Sequence, residues 1–390
     1  MGTRAGDPVS GAERLVELAL DLGFDLAAVA PLEPPPDAER FAGWLEAGYA
    51  ADMDWLARQR GRIMDPRGLA HGPASLLIVG LAHGRPGLET PDGTRLARYA
   101  AGRDYHNRMT KLLRKLRKRI TAESGLPAPG RTFADAAPLL ERSHATAAGL
   151  GFPSKAANLL HPRFGPWFFL GELVIEAPLE VAPSPPAGSC GTCTACLDAC
   201  PTGALRSPGV LDAELCISYQ TIENRGPIPH QLRNAVAEWG FGCDVCSEVC
   251  PWGDKAPDTS QAWGTHPEVA AALEAGVGAW LGPAGSLDRG AAHYKERWRG
   301  SAMQRAQRDG LARNAALALG LTRPDGAQRW LTAALEADPA PLVREAAAWG
   351  LARGFGGTPG VRDTLAAALE REPDPAWRAL LARDLELADA

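Results

Sequence analysis

Eight cysteines are the residues of this sequence whose type and spacing point most directly to chemistry. All of them lie between positions 190 and 250, and the rest of the 390-residue chain contains none. In a reducing compartment, such crowding indicates metal ligation rather than disulfide bonds. The first half of the group is the run Cys190-Gly-Thr-Cys193-Thr-Ala-Cys196-Leu-Asp-Ala-Cys200-Pro201, which has the spacing C-x₂-C-x₂-C-x₃-C-P.

This spacing is typical of iron–sulfur ligation. In bacterial two-cluster ferredoxins, the first three cysteines of such a run bind one [4Fe–4S] cluster and the fourth binds the other. The run Cys243-Asp-Val-Cys246-Ser-Glu-Val-Cys250-Pro251 lacks only a leading cysteine, which Cys216 can supply from 27 positions upstream. Two clusters then use every cysteine: Cys190, Cys193, Cys196 and Cys250 on one, and Cys200, Cys216, Cys243 and Cys246 on the other.

Zinc is the alternative metal that so many cysteines could bind. Zinc sites use two Cys-x₂-Cys pairs or mixed Cys/His sets, whereas this chain has a triple followed by Cys-Pro. A radical enzyme that binds S-adenosylmethionine would need a C-x₃-C-x₂-C triplet and an iron free of cysteine, and no such triplet occurs. Two clusters with complete cysteine ligation therefore indicate electron transfer.

The elements that must position the clusters begin with a region of mixed helices and strands. The pattern predicts strands over 26–30, 76–81 and 168–175 and an amphipathic helix over 106–122, with basic residues over 111–119 on its polar face. The proline-rich segment 183–186 is typical of a linker. We predict a multi-domain α+β/α architecture with three parts: an N-terminal α/β domain over 1–182, a ferredoxin-like two-[4Fe–4S] domain over 183–262, and α-helical HEAT-like repeats over 263–390.

The helical repeats are predicted from self-similarity near the C-terminus. The tetrapeptide at 333–336 recurs at 367–370, and Pro341 with Arg344 recurs as Pro375 with Arg378. Both recurrences are 34 positions apart, a period typical of stacked helix pairs.

Composition limits the class of protein further. Forty-one basic and 46 acidic side chains give a net charge of −5, which argues against a polybasic protein while leaving room for a local RNA-binding surface. The apolar stretch over 167–181 is interrupted by Glu172, Glu176 and Glu180, so it does not resemble a membrane span. The first residues lack the features of an export signal. We therefore expect a cytoplasmic protein without a membrane segment.

Several segments in order along the chain resemble the epoxyqueuosine reductase family, which completes the queuosine base of tRNA. The resemblance runs from about residue 10 to the C-terminal repeats and is more specific than any one motif. Its segments are Tyr99 with Arg103-Asp104-Tyr105-His106, Phe133 to Arg142, His161 to Gly165, Trp167 to Glu172, Cys216 to Glu223, Phe241 to Trp252, and Ser301 to Ala316.

The resemblance implies a base-off cobalamin held by the N-terminal domain next to the first cluster. It also implies that Asp135 is the catalytic acid, which must be protonated near neutral pH and so needs a pKa raised by burial away from cations. The chain departs from the family at one loop, where Gly-Lys-Asn is replaced by Ser154-Lys155-Ala156 and the asparagine side chain is lost. The implied cofactor-binding residues are Arg58, Tyr99, Tyr105, His106, Asp135, Lys155, Ala156, Leu159 and Leu170. Tyr105 and His106 would orient groups in the pocket or supply a second proton.

The implied substrate is tRNA carrying epoxyqueuosine in its anticodon loop, with the target base turned into the cobalamin pocket. Arginine and lysine would neutralise its phosphates, as on other nucleic-acid-binding proteins. We also expect a low-potential electron donor, such as flavodoxin or ferredoxin, and a monomer. The expected RNA-contacting residues are Glu223, Arg225, Lys295, Arg297, Arg299, Arg305, Arg308 and Arg313, and the basic helix face over 111–119 is a further candidate.

Two other classes of protein remain open. A cobalamin-dependent reductive dehalogenase combines the same cofactors, but such proteins usually carry a twin-arginine signal, and no Arg-Arg pair occurs near the start of this chain. A two-cluster electron relay would need no corrin and would leave the N-terminal domain and the repeats without a role.

Overall fold

The N-terminal region is built on a four-stranded sheet. The computed structural model describes residues 11–127, 129–135, 137–181, 188–282, 285–287 and 290–388, so the proline-rich linker predicted at 183–186 lies outside them. The sheet order is β1-β2-β8-β5, and every pair in it is antiparallel. The strands of the region are β1 Leu26–Pro31, β2 Ser75–Ala82, β3 Leu88–Glu89, β4 Arg95–Leu96, β5 Thr132–Phe133, β6 Phe152–Pro153, β7 Leu159–Leu160 and β8 Phe168–Ile175.

Helices cover both faces of this sheet. On one face, Leu15 of α1 and Met109 of α5 join a core with Leu173 of β8. The opposite face packs Val174 of β8 against the region of α6, in a second core that includes Ala145. The alternation along β8 therefore directs Glu172 towards α6. The helices are α1 Gly11–Asp21, α2 Ala38–Glu46, α3 Asp54–Arg58, α4 Arg60–Met64, α5 Tyr105–Glu123 and α6 Glu141–Ala147, with 3₁₀ turns at Pro66–Leu69 and Arg98–Ala100.

The cysteine region consists of short elements joined by tight loops. Two of its helices, α7 and α10, pack against each other and carry one cysteine motif each. Its strand β11 pairs with β4 and so ties the cysteine region to the N-terminal region. The elements are α7 Ala195–Ala199, β9 Leu205–Ser207, β10 Val210–Leu211, α8 Ile217–Ile222, α9 Arg233–Val236, β11 Trp239–Phe241 and α10 Val245–Glu248, with 3₁₀ turns at Ala213–Leu215, His230–Leu232 and Gly253–Lys255.

The C-terminal region is helical. Helices α16 and α17 are followed by α18 and α19 at the predicted spacing, since α18 begins at Val361, 34 positions after Ala327 at the start of α16. Helices α15 and α17 approach closely, because a Cβ on Gly320 would lie 2.3 Å from the Cα of Gly350. The helices are α11 Ser260–Trp263, α12 Pro267–Ala275, α13 Gly278–Leu281, α14 Gly290–Arg297, α15 Gln307–Thr322, α16 Ala327–Ala337, α17 Pro341–Phe355, α18 Val361–Arg371 and α19 Pro375–Ala388, with a 3₁₀ turn at Ala302–Ala306.

The cysteine region and the helices share one hydrophobic core. Trp239 and Phe241 of β11 are buried with Trp280, Trp298 and many residues of α15 and α17. Leu96 and Ala100 from the N-terminal region belong to the same core. Among the described residues, no helix is both long enough and apolar enough to span a bilayer.

Candidate active site

The eight cysteines divide into two groups in space as they do in the sequence assignment. Cys200, Cys216, Cys243 and Cys246 all line one large cavity. A smaller cavity beside it is lined by Cys190, Cys193, Cys196 and Cys250, together with Cys246. Cys246 lines both cavities; apart from it, the two groups follow the two predicted ligand sets, which stay a prediction.

The spread of the sulfur atoms argues against mononuclear zinc. Sulfur ligands at about 2.3 Å from one tetrahedral zinc ion lie roughly 4 Å from each other. Among the described residues, the one group of three or more possible ligands whose atoms lie within 4.8 Å of one another is His230, Glu345 and Asp384, which contains no cysteine. The wider spacing of the cysteines fits clusters of several iron atoms.

Lys155 holds the loop that carries the first cysteines. Its Nζ donates hydrogen bonds to the backbone oxygens of Gly191 at 2.8 Å and Cys193 at 2.9 Å. The ammonium group of Lys155 therefore fixes the backbone around Cys193, and its role in binding a cofactor stays a prediction.

The large cavity has a volume of about 420 Å³. Aromatic and apolar side chains of β8 and of the loop before it line one part, including Trp167, Phe168 and Leu170. The cysteine set that begins at Cys200 lines another part, whereas the sequence analysis expected the cofactor beside the set that begins at Cys190. Further lining residues are His83, Tyr99, Tyr105, Arg142, Ala156, Asn158 and Leu159.

An acidic site borders this cavity. The hydroxyl of Tyr105 donates to Asp135 Oδ2 at 2.8 Å, and His106 Nε2 lies 3.7 Å from the same oxygen. Asp104 caps the start of α5 by accepting a hydrogen bond from the backbone N–H of His106. The ring of Tyr105 stacks between those of Phe169 and His106, with centroid distances of 3.9 and 4.0 Å. The N-cap of α5 and the ring stacking hold the side chains of Tyr105 and His106, which both contact Asp135.

Asp135 lies just after β5 in an uncommon backbone conformation. Its φ is +54°, a left-handed value that aspartate tolerates better than most residues. The side chain is 62% exposed. Such backbone conformations often occur at functional sites, where the surrounding structure maintains them.

The charges around Asp135 contradict the pKa expected for it. Desolvation by the neighbouring residues tends to raise the pKa of this carboxyl although its side chain is exposed, but the contact with His106 and the hydrogen bond from Tyr105 outweigh that effect and hold the pKa below its usual value. Partial burial works against a protonated His106, yet its contacts with Asp104 and Asp135 raise the pKa of the imidazole to about 9. The expectation of a protonated Asp135 far from cations is therefore wrong. The raised pKa of His106 favours the protonated imidazole at neutral pH.

Comparison with known proteins identifies the family. Family models match residues 64–136 as epoxyqueuosine reductase QueG, DUF1730, residues 189–253 as a 4Fe-4S double cluster binding domain, and residues 298–386 as HEAT repeats. An epoxyqueuosine reductase from Xanthomonas campestris is 38% identical over 357 residues, which are 89% of this chain and 97% of that protein. This chain belongs to the epoxyqueuosine reductase family. The predicted family, the oxidoreductase class, the iron–sulfur domain and the HEAT-like repeats are thereby confirmed.

Other relatives extend the similarity along most of the chain. The epoxyqueuosine reductase from Gloeobacter violaceus is 39% identical over 81% of this chain and 98% of its own length. The crystal structure of an epoxyqueuosine reductase with an epoxyqueuosine-modified tRNA stem loop superposes with a TM-score of 0.80 at 27% identity, over 97% of this chain and 98% of that chain. A structure from Bacillus subtilis, with its catalytic aspartate loop swung out of the active site, has a TM-score of 0.78 at 27% identity over 96% and 98% of the two chains.

The cavity of this family member contains some of the predicted cofactor-binding residues. Tyr99, Tyr105, Ala156, Leu159 and Leu170 line it, and His106 and Asp135 border it through Tyr105. Arg58 is exposed on α3 and Lys155 faces the cysteine loop, so neither lines the cavity.

Sequence reasoning missed several cavity residues. At the loop that departs from the family, Ser154 Oγ accepts from the backbone N–H groups of Ala156 and Asn158, and Asn158 Nδ2 donates to Ser247 Oγ at 3.3 Å. An amide side chain is therefore present two positions after Ala156. Arg142 and Trp167 belong to segments that carry the family resemblance, which was the available signal for them; His83 lies in no such segment.

Two of the predicted RNA-contacting residues are wrong. The side chain of Arg308 is 5% exposed and pairs with Asp338. The side chain of Arg313 is 1% exposed and donates to the backbone oxygens of Asn224 and Gly226. Both guanidinium groups stabilise the packing of α15 and cannot reach a phosphate.

The other predicted RNA-contacting residues lie nearer the surface. Lys295, Arg297 and Arg299 are exposed, although Arg297 pairs with Glu268. Arg305 forms two hydrogen bonds with Glu223, and Arg225 Nη2 donates to the backbone oxygen of Arg305 at 2.7 Å. The charge of Asp135 contributes to raising the pKa of Arg305, after the larger effect of Glu223, so this cluster lies near the acidic site.

A basic groove begins at the same site and follows α5. Its volume is about 380 Å³. His106 belongs both to this groove and to the group around Asp135. The other residues lining the groove are Asn107, Thr110, Lys111, Arg114, Lys115 and Lys118.

Proposed function

We propose that this protein removes the epoxide oxygen of epoxyqueuosine in tRNA and so produces queuosine. The reaction takes two electrons and two protons and releases the oxygen as water. One observation carries the proposal. A single cavity is lined by four cysteines on one side and bordered by the Tyr105–Asp135–His106 group on the other, so an electron source and a proton source face the same space.

The residues around the cavity fit a cobalamin. Flat apolar and aromatic surfaces, such as those of Leu170 and Trp167, suit the faces of a corrin ring, while Arg142 and Asn158 suit its amide side chains. Cobalamin held there, as the family resemblance implies, would supply a strongly reduced cobalt as the source of the electrons that open the epoxide. Tyr99, Ala156, Leu159 and Leu170 would hold the ring, with the Cys200 cluster as the adjacent electron donor.

The side chains of this chain would deliver the proton. Asp135 is ionised in the free protein, because its partners hold the pKa of the carboxyl low. His106 carries the proton that the leaving oxygen needs, and Asp135 Oδ2 lies between it and the phenol of Tyr105. Asp135 would therefore act as a relay, accepting a proton from His106 and passing it to the oxygen. Asp104 on the far nitrogen of His106 keeps the ring oriented.

The tRNA would lie across the cavity mouth. A base turned out of the anticodon loop can enter the cavity, as in other proteins that recognise single-stranded loops. The exposed cations Lys295, Arg299 and Arg305 on one side, with the basic groove along α5 on the other, would then neutralise phosphates. We retain Glu223 and Arg225 as wall residues, since they hold Arg305 in place.

The proposed division of labour follows the three predicted domains. Residues 1–182 would hold the cofactor, residues 183–262 the clusters and residues 263–390 part of the RNA. A low-potential donor such as flavodoxin or ferredoxin would reduce the clusters, and the protein would act as a monomer in the cytoplasm. A reductive dehalogenase or an electron relay explains less, since neither accounts for membership of this family or for the acidic site.

Anaerobic turnover tests the proposal. The reconstituted protein, with both clusters verified, would receive an anticodon stem-loop carrying epoxyqueuosine and a strong reductant, with and without cobalamin. We expect mass spectrometry of the nucleoside to show the loss of one oxygen only when cobalamin is present. No loss from protein that has bound both clusters and the corrin would overturn the proposal.

A further inference from the structure

A pair of glutamates lies beneath the loop that carries Asp135. Glu172 on β8 has a side chain with 0% exposure, and its strand neighbour across the sheet is Phe133, two residues before Asp135. Glu141 begins α6, which packs against β8, and its carboxyl contacts that of Glu172 directly. Two acids thus meet in the interior, where isolated charges are costly.

The contact between these acids requires a proton. Both oxygens of Glu172 and Oε1 of Glu141 are buried, and no donor among the described residues forms a hydrogen bond with them. Two carboxylates in contact repel each other when both are ionised, whereas a proton between them makes a hydrogen bond. The pair therefore holds at least one proton in the folded protein.

Among the described residues, no cation forms a hydrogen bond with the buried oxygens of this pair. The charged groups that act on it are Asp135 and Arg142. The Arg142 guanidinium donates to the backbone oxygen of Ala157 rather than to either glutamate. The strands β1, β2, β5 and β6, which surround the pair with α6 and β8, contain no ionisable side chain.

Glu141 connects the pair to the acidic site. Glu141 follows Asp135 by six positions, at the point where the Asp135 loop leads into α6. The charge of Asp135 acts on both glutamates. A change in the protonation of Asp135 therefore changes the pKa of both glutamates, and a change in the protonation of the pair changes that of Asp135.

We propose that the Glu141–Glu172 pair stores a proton and resupplies Asp135 during the reaction. The inference rests on the proposed function, because removal of an epoxide oxygen as water consumes two protons with two electrons. His106 supplies one proton through Asp135, and the pair supplies the other after Asp135 has become a carboxylate again. The electrons come from the clusters, so the step needs no further reagent.

The titration of the pair suits this role. Burial, followed by the nearby charge of Asp135, raises the pKa of Glu141 to about 7. Burial and Glu141 raise the pKa of Glu172 well above its usual value. An acid that transfers protons works best when its pKa lies near the working pH.

Single-turnover rates measured across a pH series test whether the Glu141–Glu172 pair stores a proton. Glu141→Gln keeps the size and shape of the side chain but removes the titrating proton. In the wild type we expect the rate to fall as the pH rises through about 7. In Glu141→Gln this decline should vanish, and the rate at pH values below about 7 should drop about tenfold or more. Only the decline in rate near pH 9, which comes from the titration of His106, should remain. A wild-type rate and profile in Glu141→Gln would overturn the proposal.

Infrared spectroscopy separates this test from that of the overall function. The carbonyl stretch of a protonated carboxylic acid should decrease as the pH of the wild-type protein rises through about 7. This decrease should be missing from Glu141→Gln, where the buried Glu172 keeps its proton, and altered in Glu172→Gln. The band requires no turnover, so its presence would support the shared proton even if the stem-loop were not a substrate. Absence of the band from the wild-type protein would show that the Glu141–Glu172 pair holds no proton. Glu372→Gln, a buried acid in the repeats, is the matched control and should leave the rate profile and the band unchanged.

Discussion

Two regions of the molecule bury acidic side chains in opposite ways. Beneath the Asp135 loop, Glu141 and Glu172 meet without a cation between them. At the junction between α9 and the repeats, Glu345 and Asp384 are equally buried but share the guanidinium of Arg233, which is itself 1% exposed. The first pair has no cation as a partner, whereas the second has one guanidinium for two carboxyl groups, and burial and Glu345 still raise the pKa of Asp384 well above its usual value.

The difference separates a working site from a structural one. A buried cation ties together the elements that carry its acidic partners, here α9, α17 and α19. A shared proton can be removed and replaced, so the acids that hold it can take part in a reaction. The four predictions below test this contrast from its largest expected effect to its smallest.

Asp135→Asn should have the largest effect on the working site. The amide cannot relay a proton from His106, so turnover should fall by about 10² to 10⁴. The side chain is 62% exposed, so the melting temperature and stem-loop affinity should stay close to wild type. Anaerobic turnover and stem-loop binding, measured on the same preparation, test this prediction. A turnover rate equal to that of the wild type would show that Asp135 takes no part in the mechanism.

Arg233→Met should have the largest effect on the structural site. Removing one partner of a buried ion pair leaves uncompensated charge and typically costs about 3–5 kcal/mol. Both acids can then relieve the strain by taking up protons, so the loss of stability should shrink as the pH falls. Thermal unfolding at several pH values measures this loss. A melting temperature equal to that of the wild type at pH 8 would show that Arg233 does not compensate the two acids.

Glu141→Gln should change stability in the opposite direction. The pKa of Glu141 is about 7 in the folded protein against 4.5 for a free glutamate. The folded state therefore binds more protons between these values, and the free energy of unfolding should fall by about 3 kcal/mol as the pH rises across that range. The variant lacks this dependence, so its melting temperature relative to wild type should be higher at pH 8 than at pH 4.5. An equal difference in melting temperature at both pH values would contradict a raised pKa of Glu141 in the folded protein.

Arg305→Ala should have the smallest effect, on RNA binding alone. Losing one phosphate contact should weaken stem-loop binding modestly and reduce the slope of log affinity against log salt by about one unit. Arg308→Ala is the contrasting variant: its side chain is buried against Asp338, so it should lower the melting temperature and leave the salt slope unchanged. A reduced slope in Arg308→Ala would reinstate it as an RNA contact.

The sequence predicted the parts of this molecule that depend on local pattern. The strands at 26–30, 76–81 and 168–175 and the helix from 106 lie where periodicity placed them, and the 34-residue spacing gave the repeats. The spacing of the cysteines gave two groups that the fold keeps apart. Motifs with fixed spacing survive folding unchanged, which is why they could be used.

Properties that depend on distant contacts could not be predicted in this way. Arg308 and Arg313 look like surface cations in a basic segment, and only the packing of α15 buries them. The low pKa of Asp135 results from α5, thirty positions earlier in the chain. Glu172 gave a partial signal, as a charge within an otherwise apolar stretch, but its partner Glu141 comes from another element.

The core shared by the cysteine region and the helices also limits how this protein can be rearranged. Ferredoxin-type segments are often regarded as cassettes that can be moved between proteins. Here Trp239 and Phe241 are buried among residues of the repeats, and β11 pairs with a strand of the N-terminal region. An excised cassette would expose two large aromatic rings and lose its pairing strand, so this family member should tolerate neither transplantation nor replacement of its electron-transfer unit.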